Sequence, residues 1–144
     1  MKSSTCLLSK RMHFRYNRRV MKSLNEDLKT GKFKQIYLLY GSEGYLKKLY
    51  KERFIKAMVP EGDTMNYAYY EGKGTDIKEV IDLSETLPFF SQRRLILFEN
   101  TGFFKSGGND LADYVKELPD TTYYIFIENE VDKRSRLYKA VKAK

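Results

Sequence analysis

Three runs of apolar residues limit what this chain can fold into more than anything else in it. "QIYLLYG" (35–41), "RLILFEN" (94–100) and "TTYYIFIEN" (121–129) are dense in aliphatic and aromatic side chains and show little alternation with polar ones. A strand with one wet face alternates, whereas a strand without alternation is buried on both faces. Amphipathic segments lie between these runs. Residues 44–58 place Leu46, Leu49, Tyr50, Phe54 and Met58 near helical spacing, with Lys47, Lys48, Lys51 and Lys56 largely off that stripe. Residues 76–87 begin with Asp76 and Glu79 in capping-box positions and turn Ile77, Val80, Ile81 and Leu83 inward. Asn109 caps a helix that runs to Leu118 with Leu111, Tyr114 and Val115 inward, and Asp132 caps a last one over 133–143. A short helix over 22–31, with Leu24 and Leu28 on one face, stops at Gly31. "TMNYAYYEG" (64–72) is tyrosine-rich and more polar, which suits a strand near a sheet edge. Helix and strand therefore alternate from end to end. That pattern predicts an α/β fold, a parallel sheet with helices on both faces and right-handed crossovers. The last residues, "KAVKAK", end on a helix where a further strand is the natural next element, as expected of a fragment of a longer protein.

The 144 residues suit one domain with a real core, and no apolar run approaches the roughly 18 residues that span a membrane. A single cysteine, Cys6, excludes an intrachain disulfide framework and a cysteine-based zinc site. A reducing, cytoplasmic setting is the default for such a chain. A single histidine, His13, leaves almost no room for histidine triads or multi-histidine metal sites. No carboxylate pair has a supporting feature for acid–base work, so neither a catalytic residue nor a cofactor is expected.

The net charge of +8 suggests nucleic acid, but its distribution does not. Six basic residues and no acidic one lie in residues 1–20, which leaves +2 for the remaining 124. The basic leader 1–20 is faintly like an organelle transit peptide. It reads as an extension outside the folded domain, disordered or extraneous, with a functional basic arm as the alternative, and the domain is expected over 21–144. Later in the chain, "DKRSR" (132–136) is a basic cluster at a helix start, suited to a phosphate or to a solvated helix face. Tyr67, Tyr69 and Tyr70 could stack on bases, although strand packing explains them more simply.

A strand, a glycine turn and a helix make "GSEGYLKK" (41–48) a candidate phosphate loop. Measured against G-x-x-x-x-G-K-[ST], Gly41 matches and Lys47 takes the lysine position. Leu46 replaces the second glycine, Lys48 replaces the hydroxyl that would hold magnesium, and Glu43 adds negative charge where phosphates would lie. Glu99 is the one decent candidate for the acidic strand end that orders magnesium. The alternatives are an ATP site and a strand–helix turn whose lysines face water.

"ETLPFFSQRR" (85–94) carries Leu87, Phe89 and Phe90 around Pro88 on a connector, where side chains usually face water. Pro88 disfavours helix at Leu87, so the helix ends or kinks here. Fully burying both rings on such a segment is difficult, and an exposed aromatic pair marks an interface. From spacing alone the rings fit either a core cap or a partner surface.

"IYLLYGSEGYL", "TLPFFSQRRLILFEN" and "VDKRSRLYKAVK", in this order and at these separations, resemble the amino-terminal domain of the bacterial DNA polymerase III delta subunit family. The resemblance covers roughly 21–144. It implies an AAA+ / P-loop NTPase-like three-layer domain whose degenerate phosphate loop (Gly41, Gly44, Lys47) does not bind ATP. It implies a non-catalytic subunit of a clamp loader, within a replicative DNA polymerase holoenzyme. Its partners would be the ring-shaped sliding clamp, other loader subunits through two further domains, and DNA indirectly through the complex. In that family a small apolar plug after the helix before the third strand binds the clamp and helps open it. Carried onto this chain, Leu87, Phe89 and Phe90 occupy the plug positions, with Pro88 inside it, and at least one ring is expected at an interface.

Overall fold

The computed structural model describes residues 14–41 and 43–143, with side chains from Met21 onward. Helix α1 (Phe14–Thr30) leads into β1 (Ile36–Tyr40), α2 (Gly44–Met58), β2 (Tyr67–Glu71), α3 (Ile77–Ser84) and β3 (Arg94–Glu99). Then come α4 (Asn109–Tyr114) with a 3-10 turn over Val115–Glu117, β4 (Thr122–Glu128) and α5 (Arg136–Ala143). The strands form one parallel sheet in the order β1-β4-β3-β2. The tyrosine-rich β2 is at an edge, as its polarity predicts.

The two faces of the sheet carry separate cores. On one, Ile36, Leu38, Ile96, Phe98, Tyr124 and Phe126 pack under α3, α4 and α5 through Val80, Leu111, Leu137 and Val141. On the other, Tyr37, Leu39, Leu95, Leu97, Ile125 and Ile127 meet Leu24 of α1 and Tyr50, Phe54 and Met58 of α2. This is why the strands lack alternation: consecutive residues enter opposite apolar layers. The result is the expected α/β sandwich of three layers.

Element ends depart from the pattern where local hydrogen bonds override it. Helix α1 begins at Phe14, inside the segment read as a leader, while residues 1–13 lie outside the described residues. Its end is as expected: Gly31 has φ +73° and donates its N–H to the Asp27 carbonyl at 2.9 Å. Helix α3 stops at Ser84, three residues short of the expected 87. Pro88 forces Leu87 out of helical geometry, and the Thr86 hydroxyl takes up the Leu83 carbonyl at 2.6 Å. Helix α4 is shorter than expected and tightens into the 3-10 turn before Pro119. Helix α5 starts at Arg136 rather than 133, because Asp132 turns the chain by accepting the Arg134 N–H at 2.9 Å. The Ser135 hydroxyl then accepts the Tyr138 N–H at 3.2 Å.

Candidate functional site

The connector between α3 and β3 emerges at the end of the sheet where β3 begins. Leu87 is 78% exposed, Phe89 54% and Phe90 95%. Neither ring caps the core. The rings pack on each other with centroids 4.4 Å apart and planes at 69°. Phe90 has φ +51°, a left-handed conformation that costs a residue with a Cβ about 1–2 kcal/mol. Strain of this kind persists only where the surroundings over-determine it.

Those surroundings are polar and come from the starts of β2 and β3. Asn66, almost wholly buried, accepts the Phe89 N–H on Oδ1 at 2.5 Å and donates from Nδ2 to the Phe89 carbonyl at 2.7 Å. Asp63 holds that amide in place: it accepts from Asn66 Nδ2 at 2.9 Å and from the Asn66 and Met65 N–H groups at 3.1 and 2.9 Å. The Asn66 side-chain bond, helped by those two backbone amides and the nearby Arg94 charge, holds the Asp63 carboxyl below its usual range against some desolvation. Arg94 opens β3 and is buried too. Its guanidinium donates to the Leu87 and Met65 carbonyls at 3.1 Å each, with a longer 3.4 Å contact to the Thr86 carbonyl. Sequence reasoning missed Asp63, Asn66 and Arg94. A charge opening an otherwise apolar strand was the signal that could have found Arg94.

The candidate phosphate loop lies at the opposite end of the sheet. Gly41 leaves β1 with φ +123°, and Gly44 opens α2 behind Glu43, whose side chain makes no capping bond. A cleft of about 440 Å³ is lined by Gly44, Lys47, Lys51, Glu99, Asn100 and Asn129, among others. Lys47 does not face water, contrary to the turn-with-solvated-lysines reading. It is buried, and its ammonium donates to Asn129 Oδ1 at 2.7 Å and to the Glu128 carbonyl at 3.4 Å. Burial pushes its pKa down, opposed by the charges of Glu99 and Glu128. Lys51 pairs with Glu99 at 2.7 Å, and the Tyr69 hydroxyl donates to the same oxygen at 2.8 Å. Burial raises the Glu99 carboxyl, but the bonds from Lys51 and Tyr69 and the charges of Lys51 and Lys47 outweigh it and leave it lowered. Burial lifts the Glu128 carboxyl above its ordinary value, although Gly102 N–H, Thr101 N–H and the Thr101 hydroxyl all donate to it. Lys47 and Lys51 thus bond to the protein's own acceptors, while Lys48 is exposed.

In the basic cluster 132–136, Arg134 pairs with Asp132 at 3.1 Å and Arg136 with Asp113. Tyr70 stacks on Phe98 with centroids 6.0 Å apart, so it packs as a strand residue. Among the described residues no group of His, Cys, Asp or Glu is arranged to hold a metal, and no helix is long and apolar enough to cross a membrane.

The family model described as DNA polymerase III, delta subunit, matches residues 37–144. The chain belongs to this family. Its sequence is 26% identical over 129 residues to DNA polymerase III subunit delta of Bacillus subtilis (strain 168), covering 81% of this chain and 37% of that one. Its fold superposes on the Bacillus subtilis DNA clamp loader delta protein with a TM-score of 0.75 and 25% identity, covering 84% of this chain and 39% of that chain. The delta-family chain described here therefore spans less than two fifths of the length of these relatives.

Proposed function

We propose that this delta-family chain is the AAA+-like clamp-binding domain of a clamp-loader subunit, and that it works without hydrolysing ATP. Leu87, Phe89 and Phe90 are its contact with the sliding clamp. The observation that carries this reading is the Phe89–Phe90 pair, self-packed and largely in water on a backbone that is hydrogen-bonded into the fold. Aromatic anchors of this kind dominate interfaces, at about 2 kcal/mol or more each when truncated. Binding opens a ring only if the plug prefers the opened or distorted clamp to the closed one, because a ligand shifts an equilibrium only by its differential affinity. The degenerate phosphate loop fits the same reading: Gly41 and Gly44 keep the turn, while Lys47 is spent on Asn129. Family membership supports contacts with other loader subunits, and through them with DNA during replication. Calorimetry against the cognate clamp tests the proposal. Phe89→Ala with Phe90→Ala should abolish the heat of binding and leave thermal stability nearly unchanged. Undiminished binding by that variant rules the plug out.

A further inference from the structure

Two buried polar side chains, Asn66 and Arg94, hydrogen-bond the backbone of the plug. Asn66 and Arg94 are 3% and 6% exposed; Arg94 bonds only to backbone carbonyls, and Asn66 bonds to the Phe89 backbone and to Asp63. Asn66 meets both the N–H and the carbonyl of Phe89, as a neighbouring strand would. Arg94 spans two segments, bonding Leu87 on one and Met65 on the other. Burying an amide and a guanidinium is unfavourable unless the bonds are made, and here they tie the connector to the segment before β2. The bonds to Phe89 fix the peptide that leads into Phe90, whose φ is +51°.

We propose that Asn66 and Arg94 are positioning residues for clamp binding: they hold the plug in its docking shape before the clamp arrives. The inference rests on the plug reading above and deepens it. Association ordinarily costs conformational entropy for each side chain that must be immobilised, and preformed elements avoid much of that. Neither residue touches the clamp in this account, and their effect on affinity passes through Phe89 and Phe90.

Three measurements test it. In the unaltered chain, the Phe89 amide is expected to exchange with deuterium at a rate typical of core strands although its ring is wet; free exchange at the rate of an open loop overturns the proposal. Second, Asn66→Ala and Arg94→Lys, in chains that still melt cooperatively, are expected to bind the cognate clamp about tenfold or more weakly, tenfold being about 1.4 kcal/mol. Parent-like affinity in both overturns it. Third, a double-mutant cycle of Asn66→Ala with Phe90→Leu separates positioning from general weakening of the fold. If Asn66 acts by presenting Phe90, the two losses together fall short of their product; losses that multiply overturn the role. If Phe89→Ala with Phe90→Ala binds like the parent, the plug reading itself fails, an outcome distinct from the other three.

Discussion

Lys47 donates to Asn129 Oδ1 at 2.7 Å, joining α2 to the segment after β4. The lysine that a phosphate loop would aim at a nucleotide is thereby tied to the residue that follows β4. Magnesium-ATP is accordingly expected to leave the melting temperature unchanged. A ligand present at 100 times its dissociation constant would add about 2.7 kcal/mol, which a thermal-shift assay resolves easily.

Removing that lysine should reveal a structural role instead. The Lys47 charge favours the ionised form of the buried Glu128 carboxyl, behind the hydrogen bonds from Gly102 and Thr101, and the Lys47 ammonium also bonds the Glu128 carbonyl. Lys47→Ala is expected to cost about 1–3 kcal/mol, the range for leaving a buried polar group without its partner. The pH dependence has a definite sign. Glu128 already has a folded-state pKa above its unfolded value, so its ionisation penalises the fold as pH rises through the folded value. Without Lys47 that penalty grows, and denaturant melts should show a larger loss at pH 7 than at pH 4.5.

At Phe90 function and stability should separate. Its φ of +51° suits glycine, and its ring is almost wholly in water. Phe90→Gly is expected to hold or raise stability, by up to about 1 kcal/mol, while clamp binding falls sharply. Chemical denaturation and calorimetry on one sample check both arms.

Arg94 should behave in the opposite way. Replacing it by Met leaves the Leu87 and Met65 carbonyls without their donor, and a loss of about 1–3 kcal/mol is expected. The drop should be visible in urea midpoints with the slope unchanged.

Acid should loosen the base of the plug. Asp63 has a folded-state pKa below its ordinary value of 3.8, chiefly through the Asn66 side chain. Its contribution is fully present above the unfolded value and is lost as pH falls through the folded one. Protection of the Asn66 and Phe89 amides is therefore expected to be constant from pH 7 to 5 and to decline only below about 4, as amide exchange across that range would record.

The layers were legible in the sequence because burial on both faces leaves a mark that needs no partner information: Leu95, Ile96, Leu97 and Phe98 are apolar in succession because they alternate between two cores. The exposure of Phe89 and Phe90 was half legible. Pro88 marked a helix end, but spacing allowed a core cap as readily as an interface. The bonds between Asn66 and the Phe89 backbone were hidden, because the two residues lie 23 apart in the chain and meet only once β2 pairs with β3. Lys47 was misread for a related reason. Its place off the apolar stripe of α2 suggested water, yet the end of β4 comes over it and supplies an acceptor. Helix starts failed where Asp132 and Ser135 made two successive turns in place of one cap.

Strand β3 begins at Arg94 and ends at Glu99, so the connector with Phe89 and Phe90 and the lysine cleft sit at opposite tips of one stiff bar, about 17 Å apart by the rise of extended chain. Ladders on both flanks keep that bar from stretching or sliding in register. Along β3, an event among the lysines would have to pass through this paired strand to reach the phenylalanines. If the rings are a plug, as proposed, silencing them falls to another body that shields them, and releasing them to moving that body aside.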